Sequence, residues 1–288
     1  MNKVLLPLTG RPLDRRAVAA AFLVAERFGG HVDGLCVMPH VEVRSTVESA
    51  ALPAALVNQL IKIGQDDQAQ VVDAARTLFE EACAKRGVRL TEGAPAPGST
   101  RTASWQQATG PLAETIAEEA RLADLVVIAQ ASDGTNAMGP VLEAALFGSG
   151  RPLLLAPLEE PATIGDAVAI AWDGGPAAAR AVGAALPFLK QAGTISILTA
   201  DSPDAGRAAD PQRLVDYLAW QGVTAGARTV SPAGRALSAA LQDTAREAGC
   251  DLMVMGAYGH SRVREMVLGG VTYDVLRRPP SLPILMAH

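Results

Sequence analysis

Four glycines within residues 251–272 have a spacing that could bind an anion. They are Gly256, Gly259, Gly269 and Gly270. The first pair follows an apolar run at 252–255 that is typical of a buried strand, and the second pair precedes residues 271–278, whose apolar positions are spaced as in a helix. A glycine turn before a helix start exposes backbone N–H groups at the positive end of the helix dipole. The stretch therefore predicts a phosphate-binding turn. The alternative is that the glycines only permit close packing of a strand against a helix.

The spacing differs from that of two common phosphate-binding motifs. A Walker motif needs a Lys after its last glycine, and the dinucleotide fingerprint reads Gly-x-Gly-x-x-Gly. The order Gly256-x2-Gly259-x9-Gly269 resembles instead the signature Gly-x2-Gly-x9-Gly-(Ser/Thr) of the universal stress protein family. Gly270 departs from it, because the family carries a hydroxyl residue there, and Thr272 is the candidate to replace that hydroxyl. The nucleotide-binding residues that the resemblance implies here are Met255, Gly256, Gly259, His260, Gly269, Gly270, Val271 and Thr272.

A second segment, Ala171-Trp172-Asp173, ends a predicted strand at 168–172 and completes the implied site. The resemblance places the Asp173 carboxylate against adenosine, where it suits hydrogen bonds to ribose hydroxyls or to the adenine amine. The alternative role of Asp173 is to cap the helix that follows. Trp172 stands where the family usually has a small residue beside the base, so it fills or reshapes the adenine slot. His260 and Arg262 are candidates to neutralise phosphate, although arginines on a helix are commonly just solvated.

Direct repeats divide the chain into two halves. Residues 120–128 align with 247–255, 151–157 with 282–288, and 3–10 with 167–174. Strands alternate with helices in both halves, which favours parallel, largely buried sheets. The predicted fold class is α/β, with two tandem doubly wound domains that each contain a five-stranded parallel sheet, similar to the adenine nucleotide alpha hydrolase-like fold. The predicted domains are residues 1–157, with a helical insertion at 41–85, and residues 166–288.

Only the second half retains the implied nucleotide site. In the first half the aligned strand ends at Leu8 without an Asp, and residues 129–134 lack the glycine pair. We therefore expect the first half to be degenerate and to pack on the second as an intramolecular pseudo-dimer, with a homodimer as a further possible assembly. Within the first half the third strand is expected at 87–91. An irregular loop or short hairpin is expected at 92–110, where prolines, glycines and hydroxyl residues accumulate.

Composition excludes several classes of function. The chain has 288 residues, 49% of them hydrophobic and 19% charged, with a net charge of −5. This charge provides no basic field for nucleic acid or an anionic membrane. No uninterrupted apolar run is long enough to span a bilayer. Three unpaired cysteines and the lack of a leader-like segment predict a cytoplasmic protein.

Catalytic and metal sites are not expected. The four histidines show no metal-ligand spacing, and no nucleophile elbow of the form Gly-x-Ser-x-Gly occurs. The chain is therefore predicted not to be an enzyme, with ATP hydrolysis slow and incidental at most.

Two functions remain as hypotheses. In the first, the second half binds ATP, ADP or AMP, with or without Mg²⁺, and the chain is a sensor or regulator in a stress response. In the second, neither half binds a nucleotide and the chain is an interaction scaffold. The inserted helices motivate the second hypothesis, because they carry apolar residues that no core would need, namely Leu52, Leu56, Leu60 and Ile61.

Overall fold

Short apolar runs form the strands of one continuous sheet. The computed structural model describes residues 1–39, 54–93, 96, 98–99, 101–131, 138–201, 209–258 and 270–288. The strands are β1 (Lys3–Leu8), β2 (His31–Met38), β3 (Arg89–Leu90), β4 (Thr102–Thr109), β5 (Leu125–Ala129), β6 (Leu153–Ala156), β7 (Ala167–Ala171), β8 (Thr194–Ala200), β9 (Gly226–Val230), β10 (Leu252–Gly256) and β11 (Ile284–Ala287). The helices are α1 (Asp14–Phe28), α2 (Ala54–Arg86), α3 (Leu112–Ala120), α4 (Gly139–Gly148), α5 (Pro176–Leu189), α6 (Pro211–Trp220), α7 (Leu237–Glu247) and α8 (Val271–Val275).

Each half of the chain is doubly wound. In the first half the strand order is β3-β4-β2-β1-β5-β6, and in the second half it is β11-β10-β7-β8-β9. All strand pairs within a half are parallel. The order reverses between β1 and β5 in the first half and between β7 and β10 in the second. The predicted α/β class and the tandem doubly wound arrangement are confirmed.

The two half-sheets are joined edge to edge, a connection that the sequence patterns do not address. β6 and β11 pair antiparallel, with Leu154 opposite Leu285, and the result is an eleven-stranded sheet. An edge strand presents unpaired N–H and C=O groups, and this pairing satisfies the edges of both halves. The strands of the two halves consequently run in opposite directions. The carboxyl ends of one half lie at the edge of the sheet where the strands of the other half begin.

The third strand of the first half lies where an irregular loop was expected. Residues 102–109 form β4 and pair with all eight residues of β2, whereas the strand expected at 87–91 shrinks to the two residues of β3. The first half thus has six strands rather than five. Residues 102–109 contain Thr, Ser and Gln, and polar residues of this kind hide a strand from hydrophobic patterning.

Helices cover both faces of the sheet. Buried side chains of α1, α2, α5 and α6 form one core with the strands, and those of α3, α4, α7 and α8 form the other. Both cores continue across the junction of the halves. On the first face, for example, the rings of Phe28 and Phe188 meet edge to face with centroids 4.8 Å apart.

Helix α2 is the largest departure from the repeat. It has 33 residues, whereas α6 at the corresponding position has 10. Its C-terminal part packs on the sheet, where Gly34 leaves room for the Phe79 ring: a Cβ there would lie 2.9 Å from that ring. From residue 55 to 74 none of the side chains that the structure describes is buried. Among the described helices, α2 included, none is apolar over a bilayer-spanning length.

Candidate functional site

The candidate site lies at the carboxyl ends of β7 and β10, which are neighbours in the sheet. The two strands are parallel, and Met255 is in register with Ala171. Because the strand order reverses between them, a crevice opens at this edge of the sheet. The fold therefore brings together the two segments that the sequence singled out.

Gly256 ends β10 directly against the first turn of α5. A Cβ atom here would lie 2.4 Å from the amide nitrogen of Ala178 and 2.7 Å from the carbonyl carbon of Ala177. Backbone atoms cannot yield to such a contact, so only glycine fits. Gly256 thus has the packing role that was the alternative interpretation of the signature. The same close approach places the start of α5 beside the crevice.

Asp173 lies in the turn between β7 and α5. Its Oδ1 accepts a hydrogen bond of 2.7 Å from the N–H of Gly175, the residue that precedes the helix. This is an Asx turn before the helix rather than a helix cap, because Gly175 occupies the cap position and the helix start has no side-chain cap hydrogen bond. The carboxylate makes no other hydrogen bond within the described part of the chain. The side chain is exposed, and Oδ2 has lone pairs that can accept hydrogen bonds from a ligand.

Trp172 packs its ring on the face of the sheet that α5 and α6 cover. Its backbone N–H donates to the Leu198 carbonyl at 2.9 Å, which extends the β7–β8 ladder by one residue. The indole Nε1–H is buried and finds no acceptor among the residues that the structure describes. An unpaired buried donor costs about 1–3 kcal/mol. A ligand acceptor at the end of β7 would satisfy it.

Thr272 connects the two arms of the glycine signature. It is buried, and its Oγ1 accepts the N–H of Tyr258 at 3.1 Å. Its hydroxyl oxygen is therefore engaged within the protein, and only its proton remains available to a phosphate. Gly270 precedes α8, and its carbonyl accepts the N–H of Asp274. Val271 is the first residue of α8. Gly259, His260, Gly269, Arg262 and Arg264 lie outside the described residues.

The corresponding turn of the first half is filled by its own carboxylate. Asp14 Oδ2 accepts the N–H groups of Thr9 and Gly10, both at 2.8 Å, and Oδ1 accepts the Thr9 hydroxyl at 2.9 Å. Burial raises the pKa of Asp14, and these hydrogen bonds oppose the rise. Asp14 thereby occupies the amides that an anion would use at the end of β1. Comparing the aligned strand ends missed this residue, because it reaches back from the first turn of α1.

A buried polar network near the start of β1, β2 and β4 was also missed. Its members are Lys3, His31, Asp33, Thr102, Ser104 and Gln106. The Ser104 hydroxyl donates to Asp33 Oδ1 at 2.8 Å, so it accepts from His31 Nε2–H at 2.9 Å. In the neutral imidazole with its proton on Nε2, His31 Nδ1 accepts the Thr102 hydroxyl at 2.9 Å. Consistently, burial lowers the pKa of His31; Asp33 opposes that shift, and Lys3 adds to it.

The second half has no counterpart of this network. Strand register places Ala167 where the first half has Lys3, Thr194 where it has His31, and Ser196 where it has Asp33. The alternation of His31 and Asp33 along β2 was the sequence signal that could have revealed the network. In the described ranges, no three His, Cys, Asp or Glu side chains are arranged to hold a metal ion.

Comparisons with known proteins agree with this architecture. The family model described as the universal stress protein family matches residues 166–288. A solved universal stress protein from Archaeoglobus fulgidus DSM 4304 superposes with a TM-score of 0.66 at 19% identity, over 99% of this chain and 98% of that one. The functionally unknown protein PA1789 from Pseudomonas aeruginosa PAO1 gives a TM-score of 0.55 at 17% identity, over 100% and 92% of the two chains. At these identities the superpositions establish the fold alone.

A short segment is closer in sequence to a curated relative. Over 35 residues the chain is 54% identical to universal stress protein Slr1230 of Synechocystis sp., a match that spans 12% of this chain and 12% of that relative. The family model covers the half that contains the crevice between β7 and β10, and the full-length superpositions share the tandem fold. Residues 166–288 therefore match the universal stress protein family, and the whole chain shares the tandem fold of solved proteins of that family.

Proposed function

We propose that the C-terminal half binds an adenine nucleotide, ATP, ADP or AMP, and that the chain acts as a sensor or regulator in a stress response. The observation that carries the proposal is the adjacency of β7 and β10. It gathers Ala171, Trp172 and Asp173 beside Met255 and Gly256, at the edge of the sheet where a doubly wound fold binds ligands. The hydrogen bond from Tyr258 to Thr272 ties the far arm of the signature to the same place.

The residues at the crevice suit the parts of a nucleotide. Oδ2 of Asp173 would accept hydrogen bonds from ribose hydroxyls or the adenine amine, while Oδ1 stays bound to Gly175. The indole N–H of Trp172 would donate to a ligand acceptor. The phosphates would face the glycine turn, where the hydroxyl proton of Thr272 is the side-chain donor that replaces the one missing at Gly270. Mg²⁺ would be held chiefly by phosphate oxygens and water.

The first half is proposed to contribute structure rather than a second site. The Asp14 carboxylate already accepts hydrogen bonds from the amides of the β1–α1 turn, and it would repel an anionic phosphate there. We also propose binding without dedicated turnover, because the described residues at the crevice include no general base positioned on another catalytic group.

Titration calorimetry with ATP, ADP and AMP, with and without Mg²⁺, tests the proposal. Asp173→Asn should weaken binding about tenfold or more, because it replaces a charged acceptor by a neutral one. Asp210→Asn is the matched control, since Asp210 also accepts the N–H two residues further on, but at the start of α6. A Gly259→Val change should abolish binding. Wild-type protein that gives no heat with any of the three nucleotides would overturn the proposal.

An interaction scaffold is the second candidate, and one observation favours it. Leu56, Leu60 and Ile63 lie along one stripe of α2 and are 41%, 43% and 49% exposed. Of the other residues that motivated this idea, Ile61 is half-buried and Leu52 lies outside the described residues. A Leu56→Glu/Leu60→Glu variant should elute later in size-exclusion chromatography if this stripe mediates assembly. Leu122→Glu, at an isolated exposed leucine, is the control.

A further inference from the structure

The turn that follows β10 has an uncommon backbone conformation. Tyr258 has a φ of 54°, in the left-handed region that a residue with a Cβ enters at a cost in free energy. Its N–H donates to Thr272 Oγ1 at 3.1 Å. Such conformations persist only where surrounding contacts hold them. The contacts of Tyr258 therefore determine whether the start of the signature turn, residues 256–258, keeps this conformation.

One of those contacts comes from the other half of the chain. Phe147, near the end of α4, has its ring centroid 5.2 Å from that of Tyr258 and 4.6 Å from that of His288. The Nδ1–H of His288 in turn donates to the carbonyl of Ala257 at 3.0 Å. One aromatic side chain of the first half thus packs on two residues of the second half, Tyr258 after β10 and His288 after β11.

The antiparallel junction of the half-sheets explains this contact. Because β6 and β11 run in opposite directions, the end of α4, which leads into β6, lies at the same edge as the carboxyl end of β10. A cleft of about 170 Å³ lies beside the contact, lined by Glu143 of the first half and by Tyr258, Tyr273 and Arg277 of the second. The cleft leaves space into which the turn can relax when the aromatic contact is lost.

We propose that the first half controls the start of the signature turn, residues 256–258, through Phe147, which holds Tyr258 in its left-handed conformation. The first half, which lacks the nucleotide signature, then acts as a regulatory domain. Movement at the junction of the halves changes the conformation of residues 256–258. The effect on affinity rests on the proposed nucleotide site. The effect on the turn itself does not.

The test uses two conservative variants of the full chain. Phe147→Leu removes the ring from the turn, and Phe28→Leu removes a ring that also joins the two halves, on the opposite face of the sheet. Both phenylalanines are half-buried, so we expect similar losses of stability. Hydrogen exchange of the peptide containing the Tyr258 amide should accelerate about tenfold in Phe147→Leu and stay unchanged in Phe28→Leu. Phe147→Met provides a second variant should Phe147→Leu not fold.

Affinity provides the second measurement. Phe147→Leu should raise the Kd for ATP about three- to tenfold, with no change in Phe28→Leu. Equal exchange rates at Tyr258 in both variants would overturn the control of the turn by Phe147. Absence of ATP binding by the wild type would overturn the proposed function alone, because the exchange experiment still decides whether Phe147 holds the turn. Faster exchange with an unaltered Kd would limit the role of Phe147 to the turn and refute its control of affinity.

Discussion

Gly256 and Ala178 lie so close together that a Cβ atom on residue 256 would be 2.4 Å from the Ala178 amide nitrogen. We predict that Gly256→Ala lowers the free energy of unfolding by about 1–3 kcal/mol or more, because β10 and α5 must separate to admit the methyl group. Denaturant unfolding would measure the loss. Gly183→Ala is the control within α5, since a methyl group there would meet no atom of another element within 4 Å; a gain of about 0.5–1 kcal/mol is expected. Equal effects at the two positions would contradict the packing role.

Asp251 fixes the start of the second half as Asp124 fixes the start of the first. Asp251 accepts the N–H groups of Gly165, Asp166 and Ala167 at 2.9–3.1 Å, and Asp124 accepts those of Asn2 and Lys3. We expect Asp251→Ala to destabilise the protein by about 2–4 kcal/mol, because it leaves several amides without an acceptor.

The control for this change is Asp243→Ala. Within the described part of the chain Asp243 makes only an exposed ion pair with Arg235, so its loss should cost no more than about 1 kcal/mol. If Asp251→Ala lowers the free energy of unfolding no more than Asp243→Ala does, water replaces the Asp251 carboxylate as the acceptor for these amides. Thermal unfolding of the two variants in parallel would provide the comparison.

His31 should make stability depend on pH. Burial lowers the pKa of His31 in the folded protein below the ordinary value of 6.5, so the unfolded chain binds more protons at this site. The stability from the neutral imidazole is therefore present above the unfolded pKa and is lost as the pH falls through the folded pKa. Between about pH 7 and about pH 5, wild-type stability should decline more steeply than that of His31→Gln. Parallel slopes over this range would show that His31 is not held neutral by the network.

The three cysteines should be unreactive until the protein unfolds. All three are buried, and burial raises the pKa of Cys36 and of Cys83 to about 11. Because the thiolate is the reactive species, a colourimetric thiol reagent at mildly alkaline pH should label the native protein slowly and the denatured protein at once. Rapid labelling of one thiol in the native protein would reveal local opening around it.

Hydrophobic patterning predicted most strands and helices, because their residues are buried on one or both faces and follow a simple period. It failed for β4, whose Ser104 and Gln106 carry the polar network instead of an apolar core. Hydrophobic patterning also did not predict the pairing of β6 with β11. Both strands are apolar on both faces, and this pattern does not show what covers the edge of either strand. The two arms of the candidate site were predicted from the glycine motif and the family resemblance, and the fold brings their described residues together. Neither approach predicted that Asp14 occupies the turn between β1 and α1, because that contact depends on a side chain that reaches back from the next helix.

The β6–β11 junction has a consequence for how the two halves can diverge. When a strand edge joins two identical subunits, every substitution appears on both sides of the symmetry axis, and both ligand sites change together. Here the same edge joins two segments of one polypeptide, with Leu154 facing Leu285, so each side mutates separately. Residue 129 can be alanine while its counterpart, residue 256, remains glycine. Covalent linkage thus frees one copy to specialise without cost to the other.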